Sequence, residues 1–239
     1  MTTSTDPRPR RAAADCPAPL STHRLGIVFE RPQAPDLHIV DDLDLTVRSG
    51  TIVCLAGRSG SGKTSLLRCC AGLLRPTSGT VEWSGREITS MSPSALAIAR
   101  RSALGYVDQS NPCLDGLSLL ENVLLPAVPF TRGASGRRER PRFRERAMAL
   151  LADVGLDAQA DHDAAVASGG ERQRTVIARA LLTEPAALAV DEPTASLDRA
   201  SADRVIDALR TAAAKGTAIL VTSHDHAVIE AADSVLALD

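Results

Sequence analysis

Apolar and polar positions follow two different periods along this 239-residue chain. Residues 51–56 form a short apolar run with Ile52, Val53 and Leu55, which predicts a buried strand, and a glycine-rich turn follows at once. After the turn Leu66, Leu67, Cys70, Leu73 and Leu74 recur at helical spacing, up to an expected break at Arg75-Pro76-Thr77-Ser78-Gly79. Residues 80–83 read as a strand with Ser84-Gly85 as its turn, and residues 94–101 as a helix opened by Pro93. Ala147, Leu150, Leu151 and Val154 form an i, i+3, i+4, i+7 stripe whose helix is expected to start near Pro141, because proline suits a first helical position. Residues 187–190 predict a buried strand. Val205, Ile206 and Leu209 predict a helix, and residues 217–222 and 234–238 two more strands. Such alternation predicts an α/β domain with a mainly parallel sheet. No internal repeat is visible.

Composition narrows this picture. The length suits one ordinary domain, or at most two small ones. At 44% apolar and 23% charged the chain is globular in type, and no run approaches the roughly 18 apolar residues of a membrane span. Twenty-seven basic against 29 acidic side chains argue against holding nucleic acid by bulk charge. Aromatics are only 2% (Phe29, Trp83, Tyr106, Phe130, Phe143), which argues against a module that stacks bases on aromatic platforms. Only two of the basic residues are lysine, Lys63 and Lys215. The five cysteines (Cys16, Cys54, Cys69, Cys70, Cys113) show no C-x-x-C spacing, so reduced thiols are expected rather than a disulfide framework or a zinc site. Residues 1–23 combine arginine, proline and small polar residues without the apolar stretch of a signal peptide. They are expected to form a disordered tail ahead of a domain over 24–239. A transit peptide is the rival reading, opposed by Asp6 and Asp15.

The turn after the first strand, Gly57-Arg58-Ser59-Gly60-Ser61-Gly62-Lys63-Thr64, matches G-x-x-x-x-G-K-[ST] between a strand and a helix. Its glycines let backbone N–H groups approach phosphate oxygens, and the helix N-terminus adds partial positive charge. In this pattern Lys63 reaches the β- and γ-phosphates and the Thr64 hydroxyl ligates Mg²⁺. The plainer alternative is a glycine-rich turn that binds nothing. The strand–loop–helix context weighs against it.

Further motifs follow in order. Ser168-Gly169-Gly170-Glu171-Arg172-Gln173-Arg174 resembles the signature motif of ATP-binding cassette (ABC) ATPases. Ala187-Leu188-Ala189-Val190-Asp191-Glu192-Pro193 resembles their Walker B strand, Ser196-Leu197-Asp198 the D-loop, and Val221-Thr222-Ser223-His224-Asp225 the switch histidine. Gln109, after Leu104-Gly105-Tyr106-Val107, resembles the Q-loop glutamine. The resemblance runs from about Leu25 to the C-terminus, and six motifs in one order are far more specific than any one of them. Met91-Ser92-Pro93, the stretch before Gln109, and Leu120-Glu121-Asn122-Val123-Leu124-Leu125-Pro126 resemble the branch that serves lipoprotein release, macrolide-type efflux and cell division.

This resemblance implies a P-loop NTPase fold, with a RecA-like α/β core, an antiparallel β portion and a helical subdomain over about residues 109–168. It implies ATP and Mg²⁺ as cofactors. Gly57, Arg58, Ser59, Gly60, Ser61, Gly62, Lys63, Thr64 and Ser65 would hold the phosphates, and Thr64, Gln109 and Asp191 would hold the metal. Glu192 would be the general base and His224 a γ-phosphate contact beside Lys63. Phe29 stands at the distance of the adenine-stacking aromatic, with burial in the local core as its alternative. Ser168, Gly169, Gly170 and Glu171 would complete the site of a second cassette packed head to tail, favouring a homodimer. Asp108 departs from the family, which usually has an aromatic before the glutamine. Ala167, Glu171 and the lead-in Asp161-His162-Asp163-Ala164-Ala165-Val166 depart from its usual signature context. The implied function is ATP hydrolysis that powers a separate membrane permease from the inner face of the cytoplasmic membrane, with export of a lipophilic, peptide or antibiotic-type substrate. The alternative is a non-transporting ATPase that passes conformational change to envelope partners through a permease-like protein. A soluble cassette of DNA repair or translation is disfavoured, because there is no long coiled-coil insertion and no second cassette in tandem. Seven arginines between 132 and 146 read either as a solvated helix face or as a contact for anionic lipid or a permease loop.

Overall fold

In the computed structural model, which describes residues 17–32, 35–110, 113–131 and 133–238, nine strands divide between two sheets. An antiparallel sheet runs in the order β2 (Leu37–Val47), β1 (Leu20–Phe29), β4 (Ser78–Trp83), β5 (Arg86–Glu87). A parallel sheet runs in the order β6 (Leu104–Val107), β7 (Ala187–Asp191), β8 (Ala218–Ser223), β3 (Ile52–Gly57), β9 (Ser234–Leu238). The helices are α1 (Lys63–Cys70), α2 (Pro93–Ala103), α3 (Leu119–Leu124), α4 (Gly133–Asp153), α5 (Gly169–Leu181), α6 (Arg199–Ala214) and α7 (His226–Ala231). Among the described residues no helix is long and apolar enough to cross a membrane.

The central strands are apolar throughout because both faces of the parallel sheet are covered. Successive side chains point to opposite faces, so each strand feeds two cores in turn. Cys54 of β3, Leu188 and Val190 of β7, and Ile219 and Val221 of β8 join a core with α3, α4, α5 and α6. Val53 and Leu55, Ala187 and Ala189, and Ala218 and Leu220 join the other, with α1 and the antiparallel sheet. The segment after β6 thus shares one continuous core with the parallel sheet.

Three sequence expectations need correction. Leu20 is fully buried and pairs with both Val47 and Trp83, so ordered structure begins before residue 24; the part of the expected tail up to Cys16 lies outside the described residues. Helix α1 ends at Cys70, well before Arg75. Gly72 takes φ +63° and donates to Cys69 O, while Leu73 N–H donates to Arg68 O, which is a Schellman stop that glycine makes cheaply. Trp83 Nε1 donates to Cys70 O at 2.9 Å and Arg100 Nη2 to Gly72 O at 2.6 Å, fixing this helix end from outside. Pro141 lies inside α4 instead of opening it. It withholds one helical N–H there, and the C-terminal half is held by packing of the Ala147, Leu150, Leu151 and Val154 stripe. The Ser84-Gly85 turn holds: both residues take positive φ (50° and 76°), as a two-residue hairpin requires.

Asn122 of α3 is wholly buried. Its Oδ1 accepts from Leu114 N at 2.7 Å, and its Nδ2 donates to Leu114 O at 3.1 Å and Ser118 O at 3.0 Å, closing the loop between β6 and α3. Asn122→Ala leaves these loop groups unsatisfied and should cost about 2–3 kcal/mol, read as a lowered urea midpoint at unchanged slope.

Candidate active site

The site forms where β3, β7 and β8 deliver their C-terminal ends to one edge of the parallel sheet, the usual crevice of such sheets. The loop from β3 turns through Gly60 (φ +86°) and Gly62 (φ +91°) into α1. A Cβ at Gly62 would collide with Ile39 of β2, so the loop passes where only glycine fits. Gly62 caps α1 without a side-chain acceptor and no acidic residue occupies the first turn, which leaves a helix N-terminus suited to an anion.

Lys63 is 6% exposed. Its Nζ donates to Gly57 O at 2.8 Å and to Arg58 O at 3.0 Å, and lies 3.8 Å from Glu192 Oε1. Asp191 ends β7 and is 2% exposed. Its Oδ1 accepts from Thr64 Oγ1 at 3.2 Å and from Thr222 Oγ1 at 2.5 Å. Glu192 follows at φ +44°, a left-handed conformation uncommon for a residue with a Cβ, and its N–H donates to Thr222 Oγ1 at 2.9 Å. That turn sends the two neighbouring carboxylates to different partners. Glu192 Oε2 sits 3.0 Å from His224 Nδ1, while the His224 side chain is otherwise 72% exposed.

A cleft of about 610 Å³ gathers most of the sequence-predicted residues. Phe29, Arg58, Ser59, Gly60, Gly62, Lys63, Thr64, Ser65, Gln109, Glu192 and His224 all line it, joined by Leu37 and Ile39. Phe29 is 38% exposed at the end of β1, which places it on the cleft wall and not in the local core. Gly57 forms the loop's entry, and Ser61 turns its hydroxyl inward, where no described group bonds it. Asp108 takes no part in the cleft lining. Its carboxylate accepts from Ser110 N at 3.2 Å, Ser110 Oγ at 3.3 Å and Tyr106 OH at 3.3 Å, pinning the turn that presents Gln109. Burial, with Asp108 and Asp191 nearby, pushes the Tyr106 hydroxyl up to about 12, so it donates at any working pH.

The signature residues lie elsewhere. Ser168 caps α5, its Oγ accepting from Glu171 N at 3.3 Å, while Glu171 Oε2 accepts from Ser168 N at 2.8 Å and from Ser168 Oγ at 2.9 Å. These bonds hold the Glu171 carboxyl below its usual range, so it stays ionised. Gly169 and Gly170 open the same helix, and Gly170 is buried. None of the four lines the cleft that contains Lys63.

Sequence reading assigned no role to Thr222, Thr194 or Cys54. Thr222 is the wholly buried link between β8 and both acids, and Thr194 Oγ1 donates to Asp225 Oδ2 at 3.0 Å beside the histidine turn. A hydroxyl at the end of an apolar strand next to an acid-ended strand was the available signal for Thr222. Cys54 lies beneath the loop, its thiol pushed up to about 11 by burial and by Glu192. The described cysteines, Cys54, Cys69, Cys70 and Cys113, are all free and buried.

A phosphate loop with a buried lysine, faced by two strand-end acids and a histidine, defines a P-loop nucleoside triphosphatase. The chain belongs to the ABC transporter ATP-binding family, whose model matches residues 40–195, and it is therefore an ATP-binding, ATP-hydrolysing cassette. It is 39% identical over 89% of its length, and 87% of the relative's, to the lipoprotein-releasing system ATP-binding protein LolD of Chromohalobacter salexigens. It is 38% identical over 94% of its length to the macrolide export ATP-binding/permease protein MacB of Rhodospirillum rubrum, of which it spans 34%. Among solved structures, the dimeric ATP-binding cassette MJ0796 in a post-hydrolysis state bound to ADP and Pi matches at a TM-score of 0.79 and 28% identity. That match covers 92% of this chain and 94% of the other.

Proposed function

We propose that this chain is the motor subunit of a membrane exporter: two copies close head to tail around two MgATP and drive a separate permease. The carrying observation is the division of the site residues. Most of the loop, Glu192, His224 and Phe29 line one cleft, with Asp191 buried behind Thr64, whereas Ser168, Gly169, Gly170 and Glu171 form a helix cap outside it. A second copy is what would bring such a cap to the nucleotide. The chain would then sit as a peripheral subunit on the inner face of the cytoplasmic membrane, with residues 109–168 as its helical subdomain. Its cargo would be lipophilic, a peptide or an antibiotic-type molecule, as relatives named for lipoprotein release and macrolide export support.

The donors near Asp191 suit Mg²⁺: a hydroxyl at Thr64, a carboxylate at Asp191 and an amide on the cleft wall at Gln109 are all hard oxygen ligands. The ion, when bound, would neutralise phosphate charge. The protein's own contribution is positional. Lys63 and the α1 N-terminus hold the terminal phosphates, Glu192 accepts the proton of the attacking water, and His224 keeps the Glu192 carboxylate oriented through its 3.0 Å contact. Phe29 offers a ring face to the base. Phe29→Ala should weaken ATP binding roughly 10-fold with little change in maximal turnover, measured by titration with a fluorescent nucleotide. Equal affinity would remove Phe29 from the site. The proposal as a whole is tested by co-purifying the chain with its permease from membranes and measuring ATPase. Turnover that the permease leaves unaltered would overturn it.

A further inference from the structure

The function above leaves one feature unused. Between residues 137 and 146 α4 carries six arginines against two glutamates, although the whole chain has a net charge of -2. Arg146 is structurally committed: its Nε donates to Leu182 O at 2.8 Å, its Nη2 to Leu181 O at 3.1 Å, and its Nη1 meets Glu184 at 2.8 Å. Among the described residues Arg142 pairs with Glu139 alone, at 3.7 Å, with the Arg142 side chain largely and the Glu139 side chain about half in solvent. Arg137, Arg138, Arg140 and Arg144 are exposed and have no ion pair among the described residues. The seventh arginine of the run, Arg132, lies outside the described residues. Glu145 is the one exposed acid interleaved with them that has no ion pair among the described residues.

Apolar surface adjoins this charge. Val128 is 43% and Phe130 39% exposed, in the turn that leads to α4. Phe130 packs against Phe143 of α4 with ring centroids 6.0 Å apart, and the two rings share a small pocket with Arg142. In a chain with so few aromatics, these two rings stand beside Arg142. Arginines without an ion pair among the described residues, next to exposed large apolar side chains, are the composition of a surface that lies on anionic lipid. The headgroups meet the guanidinium groups and the apolar residues enter the acyl boundary.

We propose that residues 137–144 of α4, with Val128 and Phe130, are a docking surface for an anionic membrane, independent of any permease. The full chain, free of nucleotide and permease, is mixed with vesicles of phosphatidylcholine alone or with a third phosphatidylglycerol, and flotation is measured. It should float with the anionic vesicles, stay behind with the neutral ones, and be released at high salt. At roughly fivefold per arginine, Arg137→Ala/Arg138→Ala/Arg144→Ala should lower partitioning on the order of 100-fold. Phe130→Ala should lower it less and by a part that salt does not change. Arg199→Ala/Arg210→Ala, on α6, should leave it unaltered. Basal ATPase activity of each variant reports correct folding. Absence of anionic-vesicle binding, equal binding to neutral vesicles, or unchanged binding by the triple variant would overturn the proposal. So would a preference for duplex RNA over anionic vesicles, which would mark a polyanion site instead. Because the vesicles hold no permease, none of these results depends on the exporter reading.

Discussion

Glu192→Gln should stop turnover while leaving ATP bound. The amide keeps the shape of the side chain, which is largely buried between Lys63 and His224. It cannot take a proton from water. A positioned base contributes about 10²–10⁴-fold, so phosphate release should fall by at least about 100-fold. ATP affinity should stay within about threefold, because the phosphate-holding groups are untouched. The blocked cassette should accumulate as an ATP-bound dimer on gel filtration and return to monomer when ATP is replaced by ADP. Turnover above a tenth of the parent rate would take the general-base role from Glu192. The φ of +44° at this position adds a control. Glu192→Gly relieves the backbone and removes the carboxylate together, and it should be as inactive as the glutamine variant.

Lys63→Ala should have the other large effect, on binding. The ammonium is the one charged donor buried within the loop, and charge-assisted hydrogen bonds each contribute about 1.5–3 kcal/mol. Losing them to a triphosphate predicts roughly 10- to 100-fold weaker ATP binding, seen in nucleotide titration, together with loss of hydrolysis. In a chain that uses arginine almost everywhere else, Lys63→Arg is the sharper comparison. The guanidinium fork is wide and planar where the loop carbonyls of Gly57 and Arg58 admit a compact ammonium, so arginine should not restore binding. Thermal unfolding separates loss of the site from loss of the fold. ATPase activity equal to the parent's in either variant would refute the phosphate-loop assignment.

How far the sequence could be read depended on what each segment faces. The strands β3, β7 and β8 were legible because burial made them apolar runs between turns, and β9, an edge strand that is mostly exposed, because Val235, Leu236 and Leu238 are apolar all the same. Of the antiparallel strands, β4 was read at 80–83, but β1 and β2 were not. Half of β2 is solvent-facing, and β1 shifts register at Thr22/Leu25, Leu25/Ile27 and Ile27/Val28, so the alternation of two is interrupted where it would be sought. The end of α1 was misplaced because the leucine periodicity continues through Leu73 and Leu74 after Gly72 has already turned the chain. The start of α4 was misplaced because proline marks helix starts only on average. Most site residues were readable, being ordered by motif. Spacing along a chain does not encode which residues share a cleft: the loop, Glu192 and His224 converge, whereas Ser168 caps a helix elsewhere. Thr222 escaped notice because a threonine on a strand is ordinary until its neighbour across the sheet is an acid.

The alternation of the central strands between two cores has a consequence for the editing of this chain. Val190 and Ala189 belong to opposite faces, and Asp191 follows them directly. Deleting or inserting one residue within β7 would exchange the contents of both cores and move the acid off the end of the strand. Substitutions of similar volume can be absorbed in such a strand, but a change of length cannot. A scan of single-codon deletions through the gene should therefore find its deepest intolerance in residues 187–191, with the sheet interior acting as the ruler that sets where Asp191 and Glu192 emerge.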